Sequence, residues 1–309
     1  MADRRFPPIK ISPHFFQLGT PAYPAYLSVG EDVMIIEGGI AATSNLILEQ
    51  IKELDVAPER IKYIALTHTH PDHIGAVPFL QMTMPHIKVI TGSVGAKLLQ
   101  SEDMVKEYVK LERVISEILL IKNEIDEWPV VPENPVFHAD MIVGEGDKID
   151  LGGGISWSVF ETPGHSPCHL SYYNDKEKIV IIGDATGLYD FERYVFWPNY
   201  FDSLETYCNS IRKLYALPAH LGVLAHNGNI HGEVHYHFQK AMKATEAFHD
   251  EMLRRVKNGE DPKLVTFDVA RRVFTFTNMQ PFDTIYGLTR AMLKRSQAVA
   301  DRTDLFRLP

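Results

Sequence analysis

The stretch Ile64-Ala-Leu-Thr-His68-Thr-His70-Pro-Asp72-His73-Ile-Gly75 constrains this chain more than any other. Three histidines and an aspartate fall within six residues, at the end of an apolar run. His68 and His70 are two residues apart, so an extended backbone points both imidazoles the same way. Pro71 helps to fix a tight turn, and Asp72 and His73 then stand at the expected start of a helix. One short loop is therefore expected to serve two metal ions, His68 and His70 on one, Asp72 and His73 on the other. Imidazole and carboxylate suit zinc or iron better than magnesium or calcium. A polar surface turn needs no such density of metal-competent groups.

Such a loop needs a sheet to carry it, and the chain is long enough for one. Its 309 residues fit one large domain or a core with an appendage. With 45% apolar and 23% charged residues it has the composition of a globular protein. The net charge of −9 argues against a nucleic-acid partner, because no basic excess exists to neutralise phosphates. Cys168 and Cys208 form no CxxC and no disulfide framework, which suits a reducing compartment. The N-terminal residues carry no apolar signal region, and no run reaches the length of a membrane span. The expectation is a cytoplasmic protein that does not enter a membrane.

Residues 13–37 alternate short apolar runs with turns, so Phe15–Leu18, Ala25–Val29 and Asp32–Glu37 read as strands. Thr43 or Ser44 is expected to cap a helix through about Leu54, with Leu46, Ile47, Ile51 and Leu54 on one face. Arg60–Leu66 is a buried strand that delivers the histidine loop. A helix over about Ile74–Met82, a strand at Ile87–Ile90 and a helix near Ser93–Leu99 follow. Residues 101–128 repeat apolar positions at helical spacing and read as a helical insertion, either a flap over the site or a segment packed on the core. Strands are expected at Asp147–Gly152, Ile155–Glu161, His169–Tyr173 and Lys178–Ile182. A helix over Leu204–Leu217 and a short strand at Leu221–Ala225 close the core. Beyond about Gly232 the pattern is helical: Glu233–Asn258, Val265–Thr275 and Thr284–Val299.

Two ions need more ligands than one loop supplies. Thr162-Pro-Gly-His165, Gly183-Asp184 and Ala225-His226-Asn-Gly each set a ligand-type side chain at the end of a buried strand, close to glycine. Strand ends of this kind are where α/β proteins place their sites. His231 and His220 are rivals to His226. His169 is either a residue that orients a ligand or an ordinary strand histidine. The remaining histidines read as structural or exposed.

With these motifs in place, the chain resembles the metallo-β-lactamase superfamily over roughly residues 13–232. The resemblance rests on T-H-T-H-P-D-H-I-G at 67–75, T-P-G-H at 162–165, G-D at 183–184 and A-H-N-G at 225–228. It implies an α/β fold, an αββα metallo-β-lactamase-like sandwich with a C-terminal helical extension. The domains would be residues 1–232, catalytic, and 233–309, helical. It implies His68, His70 and His165 on the first metal, Asp72, His73 and His226 on the second, and Asp184 bridging. Where many members have an aspartate, this chain has Glu37, a supporting rather than ligating position.

The chemistry implied is hydrolysis. Two divalent ions, zinc first and iron or manganese as alternatives, would hold a bridging hydroxide that attacks an ester, thioester or lactone carbonyl. Asp72 and Asp184 would take part in proton transfer, with Tyr194 as a candidate oxyanion donor. The acyl preference comes from resemblance to glyoxalase II, lactonase and thioesterase-like members. The alternatives are a phosphodiesterase, an iron-dependent oxidoreductase, or a regulator acting through the helical extension. Di-iron flavoprotein members usually carry a glutamate where this chain has His70, which lowers the redox reading. The aromatic run Phe191, Tyr194, Phe196, Trp197, Tyr200 and Phe201 is either core or the wall of a pocket for a small-molecule substrate with an acyl or aromatic part. The helical extension also offers a face for a homodimer.

Overall fold

The protein is described here by a computed structural model covering residues 6–125, 128–129, 135–277, 280–302 and 304–309. The chain forms two compact units, Met1–Phe160 with Tyr172–Glu177, and Glu161–Ser171 with Lys178–Pro309. Among the described residues it is a mixed α/β fold with two main sheets and a helical C-terminal region. No helix among them is long and apolar enough to cross a membrane.

The first unit is built on a seven-stranded sheet. Its strands are β1 (Ile9–Ser12), β2 (Phe15–Gly19), β3 (Pro24–Val29), β4 (Val33–Ile36), β5 (Ile61–Ala65), β6 (Lys88–Thr91) and β7 (Met141–Ile142), in that order across the sheet. β1 to β4 pair antiparallel; β4, β5, β6 and β7 run parallel. The β4 sequence Val-Met-Ile-Ile is buried along its whole length, as expected of a strand with neighbours on both edges and side chains covered on both faces. The register pairs Ile36 with Ala65, which brings the residues just after β4 beside those just after β5.

The helices of this unit are α1 (Ser44–Glu53), α2 (Pro71–Ile74), α3 (Val77–Thr83), α4 (Ser93–Leu98) and α5 (Glu102–Ile121). Ile47, Ile51, Ile64, Leu66, Ile74, Val77, Leu80 and Tyr108 meet in one core beneath them. Burying each large side chain of this kind is worth about 1.5–3 kcal/mol. The expected cap at Thr43 or Ser44 is not made. Both hydroxyls donate instead, to Ile40 O and Ala41 O at 3.0 and 2.7 Å, and a 3-10 turn leads into α1. Leu46 and Leu54 are only partly buried, so α1 presents a narrower apolar face than expected, with buried Gln50 beside Ile47 and Ile51. The helix expected from Ile74 begins three residues earlier at Pro71 and is interrupted after Ile74.

α5 occupies the predicted insertion, whose residues 126–127 lie outside the described residues. Ser101 caps it by accepting from Met104 N, and Glu102 and Asp103 sit favourably in its first turn. β8 (Lys148–Asp150) and β9 (Ser156–Glu161) form an antiparallel pair. They belong to the second sheet, which continues through β10 (Leu170–Asn174).

In the second unit β11 (Ile179–Gly183) follows, then a hairpin of β12 (Leu188–Asp190) and β13 (Val195–Trp197). α6 (Leu204–Tyr215), β14 (Leu221–Leu224) and β15 (Asn229–His231) come next, and then α7 (Val234–Lys257), α8 (Pro262–Phe274) and α9 (Phe282–Ala298). β11 is buried throughout and pairs parallel with β14, so Gly183 and Leu224, the ends of the two strands, are neighbours. β15 returns antiparallel to β14. The β12–β13 hairpin and β15 are not foreseen by the sequence reading.

Candidate metal centre

In the first unit, β5 hands the chain to the histidine loop at Leu66. Its amide donates to Ile90 O at 2.9 Å and its carbonyl accepts from the Tyr172 hydroxyl at 2.6 Å, so the departure point is held from two sides. His70 is extended, as a residue preceding proline must be, and Pro71 opens α2. His68 is fully buried, His73 2% exposed and Asp72 8% exposed. His68 Nε2 lies 2.9 Å from His70 Nδ1. The His68 and His73 rings are 4.0 Å apart, and His73 Nε2 is 3.7 Å from Asp72 Oδ2.

Glu37 organises these groups. One carboxylate oxygen accepts from the Thr67 hydroxyl at 2.7 Å; the other is 3.0 Å from His73 Nδ1. A carboxylate only accepts, so Nδ1 of His73 carries the proton and Nε2 presents its lone pair toward Asp72. Thr67, having given its proton to Glu37, accepts from His68 Nδ1 at 3.0 Å, which leaves the His68 Nε2 lone pair facing His70. Glu37 adopts φ +73°, a left-handed conformation that costs a non-glycine residue energy. The strand register and the glycines that follow hold it there.

In the second unit the ligand-type groups gather around Asp184. His165 Nε2 is 3.5 Å and His226 Nε2 3.9 Å from Asp184 Oδ2, and all three residues are buried. His165 Nδ1 donates to Asn199 O at 3.0 Å, so its Nε2 also offers a lone pair. Asp184 is placed by His169: the Asp184 amide donates to His169 Nε2 at 3.0 Å. That bond puts the His169 proton on Nδ1, which is 2.8 Å from Thr162 Oγ1. Thr162 in turn bonds Ser171 Oγ at 2.9 Å, and Ser171 donates to Ile182 O. His169 thus positions Asp184.

The Thr-Pro-Gly-His turn is clamped by the start of α6. Gly164 O accepts from the amides of Asp202 and Ser203, and Ser210 Oγ donates to Pro163 O at 2.7 Å. Gly164 has φ +127°, and a Cβ there would lie 2.3 Å from the Tyr207 backbone. Only glycine fits both demands.

In each unit an imidazole lone pair faces a carboxylate oxygen in burial, at 3.7 Å for His73 and Asp72 and 3.5 Å for His165 and Asp184, with the other ring nitrogen engaged elsewhere. Lone pairs so arranged repel unless a proton or a cation lies between them. Ligands about 2.1 Å from one tetrahedral ion stand roughly 3.4 Å from each other, close to these separations. The donor set of imidazoles and carboxylates fits a divalent transition metal.

The remaining candidates separate by burial. His220 and His231 are exposed, whereas His226 is buried beside Asp184. Tyr194 is 75% exposed in the turn between β12 and β13, at φ +58°. Phe196, Trp197 and Tyr200 are buried, Phe196 and Tyr189 against His237 of α7, so these aromatics are core; Phe191 and Phe201 are partly buried. The Phe201 ring packs tilted against His165, 5.2 Å between centroids. Cys168 and Cys208 are both buried, and burial pushes the Cys208 thiol up to about 12. Thr67, Thr162 and Asn199 escape a sequence search for ligands because they serve them one bond removed. At Thr67 the local hint is a hydroxyl directly before a candidate ligand histidine.

A family model described as Metallo-beta-lactamase superfamily matches residues 22–226. Glyoxylase B2 of Dictyostelium discoideum is 28% identical over 173 residues, 56% of this chain and 50% of that protein. A Nostoc protein with the provisional name diflavin flavoprotein A 2 is 25% identical over 174 residues, 56% of this chain and 24% of its own length. The chain therefore spans half or less of these curated relatives. The solved structure of TTHA1429, a metallo-beta-lactamase family protein from Thermus thermophilus, shares its fold, with a TM-score of 0.64 at 18% identity over 94% of this chain and 95% of that one.

Proposed function

Because the chain belongs to the metallo-beta-lactamase superfamily, we propose that His68, His70, Asp72 and His73 of the first unit and His165, Asp184 and His226 of the second together hold two divalent ions. We infer hydrolysis of an ester, thioester or lactone as the reaction. The observation that carries this reading is the set of buried lone pairs turned toward one another in both units while their donor nitrogens are engaged elsewhere. Bound divalent ions supply Lewis acidity and lower the pKa of water toward 7. The chain's own groups do the rest. Glu37 and Thr67 fix the tautomers of His73 and His68; Asn199 fixes that of His165. Asp184, set by the His169 bond to its amide, turns Oδ2 toward two imidazoles and would be the ligand that both ions share. The carboxylate oxygens of Asp72 and Asp184 are the acceptors for the proton of the attacking water.

The likeness to a protein named glyoxylase supports acyl substrates. The likeness to a diflavin flavoprotein supports a second reading, iron-dependent redox chemistry, against which stands His70. Zinc is the first expectation, with iron and manganese as rivals. Metal analysis of the purified protein, paired with thioester, lactone and phosphodiester substrates with and without chelator, decides among them. Two equivalents of metal and chelator-sensitive acyl hydrolysis are expected, with loss of at least a hundredfold in His68→Ala. A metal-free protein without chelator-sensitive turnover sinks the hydrolase reading; full activity in His68→Ala sinks the ligand assignment.

A further inference from the structure

A carboxyl group far from any ligand in sequence is buried behind the turn that carries Asp72 and His73. Glu112, on α5, is fully buried, yet only Oε2 has a hydrogen-bond partner, the Ala41 amide at 3.1 Å. Oε1 lies against Gly75, where a Cβ would come within 1.9 Å of it. A lone carboxyl in an apolar helix interface is costly and adds nothing that a leucine would not. Burial also pushes its pKa up to about 8, which keeps it neutral and able to stay there.

Its surroundings form a closed circuit within the first unit. α2 is a single turn bearing both Asp72 and His73. The loop after β4 receives the end of that turn: Gly75 N donates to Gly39 O at 2.7 Å and Ala76 N to Gly38 O at 2.9 Å. In return Gly38 N donates to His73 O at 2.8 Å. α5 grips both partners. Tyr108 donates to Gly75 O at 3.1 Å, and Glu112, one helical turn on, accepts from Ala41 in the loop. A one-turn helix has no strength of its own, so its placement comes from these bonds.

We propose that Glu112, with Tyr108, is a positioning residue: the two hold the Asp72–His73 turn in register through Ala41 and Gly75, which makes the helical insertion a support of one metal site. The proposal rests on the two-ion reading above. It is tested by zinc titration against a chromophoric chelator, in a His68→Ala background that isolates the site dependent on Asp72 and His73. Added Glu112→Ala is expected to weaken zinc there 10- to 100-fold, as loss of a group supporting a ligand does. Glu112→Gln, neutral and of the same shape, is expected within about threefold of its parent. In a His73→Ala background, which isolates the His68 and His70 site, Glu112→Ala is expected to change nothing. Unchanged affinity in the first background, or equal loss in both, overturns the proposal. Should Glu112→Ala fail to fold, Tyr108→Phe carries the same comparison, since it deletes one hydrogen bond and keeps the ring. A wild type that takes up no zinc overturns the two-ion reading and this proposal with it. A wild type binding two ions with indifferent variants removes this proposal alone.

Discussion

Glu37 shows how much one side chain decides. It bonds His73 directly and reaches His68 through Thr67, so a single carboxylate sets two imidazoles. Glu37→Ala is expected to weaken metal binding 10- to 100-fold while leaving the sheet intact, as read by zinc titration beside circular dichroism. Thr67→Val severs the same circuit at its joint, so the double variant should lose much less than the sum of the singles. Additive losses would show that Glu37 and Thr67 act separately. Two buried groups give stability a pH dependence of opposite sign. Glu112 is held near 8 against an unfolded value of 4.5, so the native state keeps a proton that the unfolded state releases. Its contribution is full below pH 4.5 and is lost as pH rises toward 8, at about 1.4 kcal/mol per unit at most. His237, lowered to about 3 by burial and by Lys240, contributes above pH 6.5 and is lost as pH falls toward 3. Urea unfolding of Glu112→Gln between pH 4.5 and 8 should show the downward limb flattened. A limb as steep as in the wild type would mean that Glu112 ionises normally.

At the scale of elements, the strength of α6 is tied to the Thr-Pro-Gly-His turn. Ser203 caps the helix by accepting from Thr206 N, and its own amide donates to Gly164 O. Ser203→Ala is expected to cost about 1 kcal/mol in chemical denaturation. Gly164→Ala should be far worse, because its Cβ meets the α6 backbone. Elements of long period were legible beforehand. β3, β4, β5, β9, β11, α6, α7, α8 and α9 follow runs of alternating or helical spacing that propensity and burial both favour. What was missed has a physical reason in each case. The β12–β13 hairpin is short, and its aromatic residues give no clean alternation; it is fixed by packing on α7. α2 and α3 part because the backbone at Gly75 and Ala76 bonds to the Gly38–Gly39 loop, a tertiary bond with no local signature. The ligand-type residues stand out by spacing and Glu37 by the resemblance at the end of β4, whereas Glu112 acts across 37 residues on Gly75 and carries no local signal.

For the whole molecule, the C-terminal helices are structural members of the second unit. α7 buries Val234, His237, Phe238, Ala241 and Met242, and the β12–β13 aromatics lie against His237. Deletion of 233–309 is therefore expected to give an insoluble or uncooperatively unfolding product rather than a trimmed enzyme, checked by expression and calorimetry. A soluble fragment with a sharp transition would contradict this. The division into units also has a consequence for how such a sequence can be recombined. The chain passes from the first unit to the second after Phe160, returns for Tyr172–Glu177, and leaves again. Neither unit is one contiguous stretch, and His165 lies in the short excursion between two crossings. A chimera with a single breakpoint must cut one unit or graft its missing piece from the other parent. Exchange of a whole unit between relatives needs three breakpoints, after Phe160, Ser171 and Glu177, so that Glu161–Ser171 travels with Lys178–Pro309 while Tyr172–Glu177 stays with the first unit; the two units are inherited together or exchanged as four alternating pieces.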